Sequence, residues 1–453
     1  MGTKNAQPPP YGVSELSSFD RSYRETCQIC QPDRWRTLET AVAASDSIAR
    51  GAGLSYVAAS FGDGATSIDM RRFNRFVGFD QSERWVEVEA GISLGKLYSF
   101  LAPRGLYLAV QPGHPQITVG GCIAGNVHGK NQFREGIFQN CVLSLKLFHP
   151  SLGYLDLSRK QNPELFELTC GGFGLTGLIV SAKLRVEELP AQAVSRRIIP
   201  VESLLAGVAE IDRAKAHSDM AYAWFDLANS HKQGRGYVAR GTFLQNNSVQ
   251  ENPEEIQLPN WRSIGRKQQA FGGLKVFNRM SLPLINRLHY RSELNRRETT
   301  QSLFTCLFPT IGNEIYYDGY GRNGFIEQQV LVPELSVNSY VVEFTRLVRK
   351  SKCFIPLMTL KAFRGDERYL DYNGTGYSFA IDLPQSLDAH RFLNTLDEIN
   401  VEHGAKTNLL KDSRLSTAVV ERQYPHYGDF KRELFRFDPA RRFRSALSHR
   451  LSL

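Results

Sequence analysis

The sequence predicts an α+β protein built in two parts, and three observations carry that reading. Three glycine-rich stretches, Arg50–Tyr56, Gln111–Asn131 and Gly171–Gly177, are separated by strand patterns in the region up to Pro190. From about Val194 the glycines thin out and longer strand and helix patterns take over. In that second region, alternating runs such as Phe325–Val332 are followed by amphipathic helix patterns such as Ser386–Gly404.

Composition bounds the possibilities. The chain of 453 residues has room for roughly two to four domains. A hydrophobic fraction of 42% with 11% aromatics supports sizeable cores. The net charge of +9 and pI near 9.1 suit an anionic partner, whether phosphate, nucleic acid or an acidic membrane surface. No RNP motif, zinc spacing or helix-turn-helix pattern supports nucleic acid. Seven scattered cysteines, an odd number, argue against a disulfide framework and for a reducing compartment. Cys27-Gln-Ile-Cys30 lacks the second pair a zinc ribbon needs and reads as two strand cysteines. Residues 1–18 read as a flexible tail. They lack the apolar core of a signal peptide, and Ala6 stands where a myristoylation motif requires Ser or Thr. No apolar run approaches the ~18 residues of a membrane-spanning helix, so a soluble or peripheral protein is expected.

Taken in order, Ser22–Ile29 reads as a strand, and Asp33 opens a helix with Trp35, Leu38, Ala41 and Val42 on one face. Ile48–Tyr56 starts apolar and turns to glycines among small residues. Arg50 supplies a cation and the glycine backbone can offer N–H groups to a diphosphate, although the stretch taken alone fits a tight surface turn better. Thr66–Met70 and Arg84–Ala90 are strands, and Ser93 caps a helix with Leu94, Leu97, Tyr98 and Leu101 inward. Two strands within Val142–Leu157 flank the Pro150–Gly153 turn. Asn162–Phe166 starts a helix with proline in its first turn, and Leu178–Val186 is a strand.

In the second part, Ala221–Asp226, Phe325–Val332, Phe354–Phe363 and Tyr377–Leu383 read as strands, with Glu327 and Gln329 on one face of theirs. Lys411–Arg414 falls just past a further strand, and Phe437–Phe443 is amphipathic and basic. Residues 261–298 carry nine Lys/Arg against two Glu, interleaved with large apolar residues. That mixture suits a membrane interface and a solvated insertion with core anchors about equally.

Gln111–Asn131 is the most informative stretch. Five of its twenty-one residues are glycine, Lys130 is its single Lys, Arg, Asp or Glu, and Ile117, Val119, Ile123 and Val127 make it apolar. Glycine admits close approach of backbone to a ligand, and this composition reads as buried backbone against something flat and polar. None of the three stretches is GxGxxG opening a helix after a strand, nor GxxxxGK[ST], so a Rossmann site and a P-loop are disfavoured.

The order R-G-x-G-x-S (from Arg50), P-G-x-x-x-x-T-V-G-G (from Pro112) and G-x-G-x-x-G (from Gly172) resembles the vanillyl-alcohol-oxidase, or PCMH-type, flavoprotein superfamily. Within it, Val127–Asn131, Lys411–Arg414 and Ala223–Asp226 are similar to the decaprenylphosphoryl-β-D-ribose oxidase family, the flavin subunit of a ribose 2-epimerase. The resemblance implies a two-part PCMH-type FAD-binding domain over residues 19–192. A substrate domain with an antiparallel sheet covered by helices would follow at 193–404, holding the basic, apolar insertion near 261–298, and a C-terminal segment, 405–453, would return to the flavin domain.

It also implies an FAD-dependent oxidoreductase acting on CH–OH groups. The cofactor contacts implied are Arg50, Gly51, Ala52, Gly53, Leu54, Ser55, Tyr56, Gly113, Thr118, Val119, Gly120, Gly121, Gly125, Asn126, Val127, His128 and Ile179. Leu54 stands where covalent members carry histidine, so FAD is expected to be non-covalent. The implied substrate positions are Trp224, Gln329, Lys361 and Lys411, and the implied catalytic set is Lys411, His128, Gln329 and Tyr56. The substrate would be a lipid-linked ribose phosphate, oxidised at C2 to the keto intermediate of epimerisation to arabinose. A separate NAD(P)H-dependent reductase would act as partner, and the location would be cytoplasmic with peripheral membrane contact. A soluble sugar, alditol or aldonolactone oxidase of the same superfamily is the alternative.

Several positions depart from the family. Leu307 replaces a pocket tyrosine, Tyr317-Asp318 an Asn-Arg pair, and Asn408 a tyrosine near the flavin, while Ala380 stands where some members have a drug-reactive cysteine. Such chemistry needs hydride loss from carbon, which a flavin accepts at N5, and proton loss from oxygen, which a lysine such as Lys411 can assist as cation or as neutral base.

Overall fold

A computed structural model describes residues 11–43, 45–228, 234–244, 273–311 and 313–453. Pro8–Pro10 and the part of the basic segment running from 261 to 272 lie outside the described residues.

The strand pattern begins inside the expected tail, residues 1–18, which is thereby corrected. Tyr11–Ser17 is a strand, paired antiparallel with Arg24–Cys30 from Tyr11 opposite Cys30 to Ser17 opposite Arg24. The cause is local packing: Leu16 closes with Cys27, Ala58 and Phe61 into a small core, and Phe19 follows into the main cavity. Thr66–Asp69 and Ser47–Arg50 complete this sheet by parallel pairing. Cys27 and Cys30 face different cores, and burial pushes the Cys30 thiol up to about 11, so the pair has neither the geometry nor the thiolate of a redox motif. All seven cysteines are free.

A second, five-stranded antiparallel sheet runs Phe76–Asp80, Trp85–Glu89, Leu178–Arg185, Val142–His149 and Gly153–Ser158. Its inward residues, among them Val86, Val88, Leu145 and Leu184, pack on the helix Leu94–Leu101, which Ser93 caps by accepting from the Lys96 N–H. The glycine stretch crosses this core. Thr118 Oγ1 accepts from Gly121 N and starts the six-residue helix Val119–Ala124. Val119, Cys122 and Ile123 drop into the core, leaving the glycines toward the cavity.

The second part is built on one antiparallel sheet of eight strands. Their order is Glu298–Ser302, Ala193–Val201, Arg235–Phe243, Met220–Asp226, Leu357–Phe363, Gly376–Pro384, Phe325–Pro333 and Lys406–Thr407. The helices Leu204–His217, Val337–Lys350 and Leu387–Glu402 cover one face, with Ile326, Val330, Met358 and Ile381 beneath them. Period-two alternation sends Glu327 and Gln329, Asp382 and Ala380, and Leu357, Thr359 and Lys361 to the opposite face, where they line the cavity.

The segment after Thr407 packs back on the first part. Tyr424, Tyr427, Phe430 and Leu447 share a core with Ile48, Val57 and Leu175, and Phe443 forms a parallel bridge to Ser47.

Candidate active site

A cavity of about 420 Å³ lies between the glycine stretches and the bare face of the large sheet. Of the sequence-predicted cofactor positions, all but Val119 line it. Val119 is fully buried and its N–H donates to Ile92 O, because the second residue of the T-V-G-G turn is the one that anchors the short helix in the core.

The loop after Arg50 is shaped for an anionic group. Gly53 has φ +70, a conformation that suits glycine, and among the described residues the N–H groups of Ala52, Gly53 and Leu54 meet no acceptor. A Cβ on Gly51 would stand 2.2 Å from Thr118 Oγ1, so the two glycine stretches touch there without a side chain between them. Free backbone donors beside Arg50, on a wall of glycine, are a donor set that fits a dinucleotide such as FAD.

The opposite wall carries side chains. Gln329 is held on three sides. Its Oε1 accepts from Asn408 Nδ2 at 2.9 Å, and its Nε2 donates to Ser378 Oγ at 3.0 Å and to His128 Nε2 at 3.3 Å. Both its N–H groups are thus engaged, which leaves acceptor capacity alone for a ligand. Burial, and then the charges of Lys361 and Lys411, hold His128 well below the usual imidazole range, so it is the neutral acceptor of that bond. Phe363 meets its ring edge-on at 4.7 Å.

Lys411 Nζ lies 3.3 Å above the Tyr56 ring centroid and 3.2 Å from Glu327 Oε1. Tyr56 OH is 3.4 Å from Tyr317 OH, and burial, followed by the Tyr317 hydroxyl, raises the Tyr56 phenol well above its ordinary value. Lys361 also faces the cavity. Burial, then Lys411, pushes it down to about 8, and among the described residues no carboxylate lies within ion-pair range of it.

Trp224 is not brought to the cavity. Its strand register aligns it with Thr359, one strand beyond the lining, where it stacks on Tyr237 at 5.5 Å and meets His289 at 4.8 Å. Aromatic packing against the helix Ser281–Asn295 claims its ring instead. Of the departures, Tyr317, Asn408 and Ala380 line the cavity, whereas Leu307 is buried in the first core.

Asp382, Thr359 and Tyr372 were not singled out in the sequence. Asp382 had a signal, a carboxylate inside the apolar run Phe379–Leu383, but its neighbour across the sheet could not be read from one strand.

A family described as "FAD binding domain" matches residues 35–154. The chain is 29% identical over 418 residues to the decaprenylphosphoryl-β-D-ribose oxidase of Mycolicibacterium smegmatis, covering 90% of this chain and 89% of that one. It is also similar to an L-galactono-1,4-lactone dehydrogenase of Oryza sativa subsp. japonica, 29% identical over 40% of this chain and 32% of the relative. With the L-gulonolactone oxidase of Mus musculus it shares 30% identity over 26% of this chain and 27% of the relative. The chain is therefore an FAD-dependent oxidoreductase acting on CH–OH groups, and its sequence is similar to the vanillyl-alcohol-oxidase, or PCMH-type, flavoproteins. Of these three likenesses, that to decaprenylphosphoryl-β-D-ribose oxidase covers the largest share of the chain, 90% against 40% and 26%.

Proposed function

We propose that this protein oxidises the C2 hydroxyl of a polyprenylphosphoryl ribose to the 2-keto intermediate of epimerisation to arabinose, and that a separate NAD(P)H-dependent reductase completes the sequence. The observation that carries this reading is the convergence of Lys411, Lys361 and Gln329 on one wall of the cavity, with His128 at the end of the glycine wall bonded to Gln329. The likeness to the ribose oxidase spans 90% of the chain, whereas those to the rice lactone dehydrogenase and the mouse gulonolactone oxidase span 40% and 26%.

FAD would be held without a covalent bond by the Arg50–Tyr56 loop, Gly113, Thr118, the glycines at 120, 121 and 125, Asn126 to His128, and Ile179. When bound it supplies a hydride acceptor. The protein's own tasks are to orient the sugar, exclude water and move one proton. Lys361, a cavity cation with no ion-pair carboxylate among the described residues, takes the substrate phosphate. Lys411, held between Tyr56 and Glu327, points its ammonium at the reacting hydroxyl and stabilises negative charge on that oxygen. Neutral His128 holds Gln329 by accepting from its Nε2, and the remaining acceptor capacity of Gln329 receives a hydroxyl proton of the sugar.

A lipid-linked substrate also asks for a membrane contact, and the helix Ser281–Asn295 offers one. Met280, Leu284 and Leu288, spaced four apart on one face, are 90%, 58% and 58% exposed. Arg287 and Arg291 fall on the same face, which suits an anionic lipid surface. No described helix is long and apolar enough to cross a membrane.

Anaerobic mixing with a polyprenylphosphoryl ribose, free arabinose and an aldonolactone tests the reading. Flavin bleaching by the lipid-linked sugar alone is expected, and bleaching by the lactone alone would favour the alternative oxidase. Cosedimentation with anionic vesicles, lost in Leu284→Glu, tests the membrane face.

A further inference from the structure

The sheet wall of the cavity holds an acidic pair whose shared proton has no part in the reading above. Glu327 on Phe325–Pro333 stands directly opposite Asp382 on Gly376–Pro384, and both face the cavity at 7% and 1% exposure. Two adjacent buried carboxyls do not both ionise at neutral pH, so one proton belongs to the pair.

The surroundings decide where that proton sits. Asp382 Oδ2 accepts from Tyr316 OH at 2.9 Å, and Tyr316 OH is bonded in turn to Tyr320 OH. Among the described residues Asp382 Oδ1 meets no N–H or O–H donor, and its carboxyl is in hydrogen-bond contact with Glu327. Burial, and next the Glu327 carboxylate, hold the Asp382 acid well above the carboxylate range, against the pull of the Tyr316 bond and of Lys411. Glu327 Oε1 meets Lys411 Nζ at 3.2 Å. The proton therefore rests on Asp382 and the charge on Glu327, balanced by Lys411. The other titratable groups facing the pair are Tyr317 and Tyr320 around the helix Ile315–Asp318, Tyr56 from the glycine loop, and Lys361 from the strand Leu357–Phe363.

We propose that Glu327 and Asp382 form a one-proton carboxyl pair that receives, through Lys411, the hydroxyl proton of the alcohol as it is oxidised. The carbon–hydrogen bond breaks and its electron pair leaves as hydride to the flavin. The oxygen–hydrogen bond breaks and its electron pair becomes the second carbon–oxygen bond. Lys411 passes one ammonium proton to Glu327 and accepts the hydroxyl proton, so the lysine ends as it began and the pair ends with two protons. This arrangement answers a difficulty of a lysine base, which is protonated and unable to accept until a neighbour relieves it. Glu327 and Asp382 are positioning residues here, since they act on the substrate through Lys411.

The inference rests on the reading of Lys411 as the group at the reacting hydroxyl, so two independent measurements test it. The first needs no turnover. At neutral pH the infrared spectrum of the unreacted holoenzyme should contain a carbonyl stretch of a neutral carboxylic acid that Asp382→Asn removes and Asp371→Asn does not; if Asp382→Asn removes no such component, the one-proton pair is overturned whatever the substrate. The second is the anaerobic flavin-bleaching rate with a short-chain polyprenylphosphoryl ribose. Glu327→Gln, which keeps the size and a contact to Lys411, should bleach about 10²-fold more slowly with an unchanged flavin spectrum, and should lose the acid limb of the pH profile. Asp382→Asn, a mimic of the protonated acid, should retain the acid limb that Glu327→Gln loses, because Glu327 still titrates in it. If Lys411→Met is slow while Glu327→Gln keeps the wild-type rate and profile, the relay to the pair is wrong and the Lys411 reading survives. If Lys411→Met bleaches at the wild-type rate, both the route and the Lys411 reading are overturned.

Discussion

On one wall of the cavity the chemistry is carried by backbone. Arg50–Tyr56 and Thr118–His128 present glycines and free N–H groups, and the space exists because side chains are missing. On the other wall it is carried by side chains from separated strands, with Glu327 and Gln329 from one, Asp382 from the next and Lys361 from the third, and Lys411 reaching in from a turn. A backbone wall is specific to a shape that many substrates' enzymes share. A side-chain wall can change its ligand by exchanging single residues, and its polar groups depend on one another for satisfaction.

The contrast can be broken most severely at Gly51. A methyl there would stand 2.2 Å from Thr118 Oγ1, whose position is fixed by its cap to Gly121, so Gly51→Ala is expected to yield colourless protein by its flavin-to-protein absorbance ratio. On the side-chain wall, Lys411→Met should keep the flavin and lose about 10²- to 10⁴-fold in the anaerobic bleaching rate.

Asp371 sharpens the comparison by joining the walls. It accepts from Asn126 Nδ2 at 2.9 Å, and burial raises its acid to about 7. A folded acid titrating above the unfolded one binds more protons in the native state, so stability falls as pH rises from about 4 to 7. Asp371→Asn should remove that dependence. It should raise the melting temperature at pH 8, by up to about 4 kcal/mol in stability, and change little at pH 4.

Lys361→Met should raise KM for a phosphate-bearing substrate by roughly 10- to 10²-fold with kcat nearly unchanged, since a lost ionic hydrogen bond to a non-reacting group costs about 1.5–3 kcal/mol. The smallest effect is expected at Trp224. Trp224→Phe should leave kcat and KM unaltered and cost about 1 kcal/mol in denaturant unfolding, because its ring serves the stack with Tyr237 and His289.

The two walls also differed in how far they could be read from the sequence. The glycine wall is local, and spacing within R-G-x-G-x-S and T-V-G-G sufficed to bring all but one expected position to the cavity. Val119 escaped because spacing does not say which residue of a turn faces inward. The sheet wall needed register between strands far apart in the chain. Glu327 was visible on its strand's polar face, but its partner Asp382, 55 positions on, became its neighbour only through pairing. Trp224 failed for a related reason: the strand and its face were legible, yet the helix Ser281–Asn295 that claims its ring was not. The strand Tyr11–Ser17 was missed because its pattern of exposed residues, broken by Leu16, looks like a tail until Arg24–Cys30 is beside it.

The bridge between Ser47 and Phe443 bears on biogenesis. Ser47 N donates to Arg442 O at 2.9 Å, Arg444 N to Ser47 O at 3.1 Å, and Leu447 N to Ala58 O at 3.1 Å. Arg442 also reaches Val42 O, 400 residues back along the chain. The strand that feeds the Arg50 loop therefore waits, during synthesis, for a partner made long after it. Contacts of such separation form slowly, and the exposed edge is a hazard meanwhile. Cofactor loading is thus expected to be a late event: ribosome-bound chains stalled before Phe437 should not retain flavin, and uptake should begin only once residues 442–447 have cleared the exit tunnel.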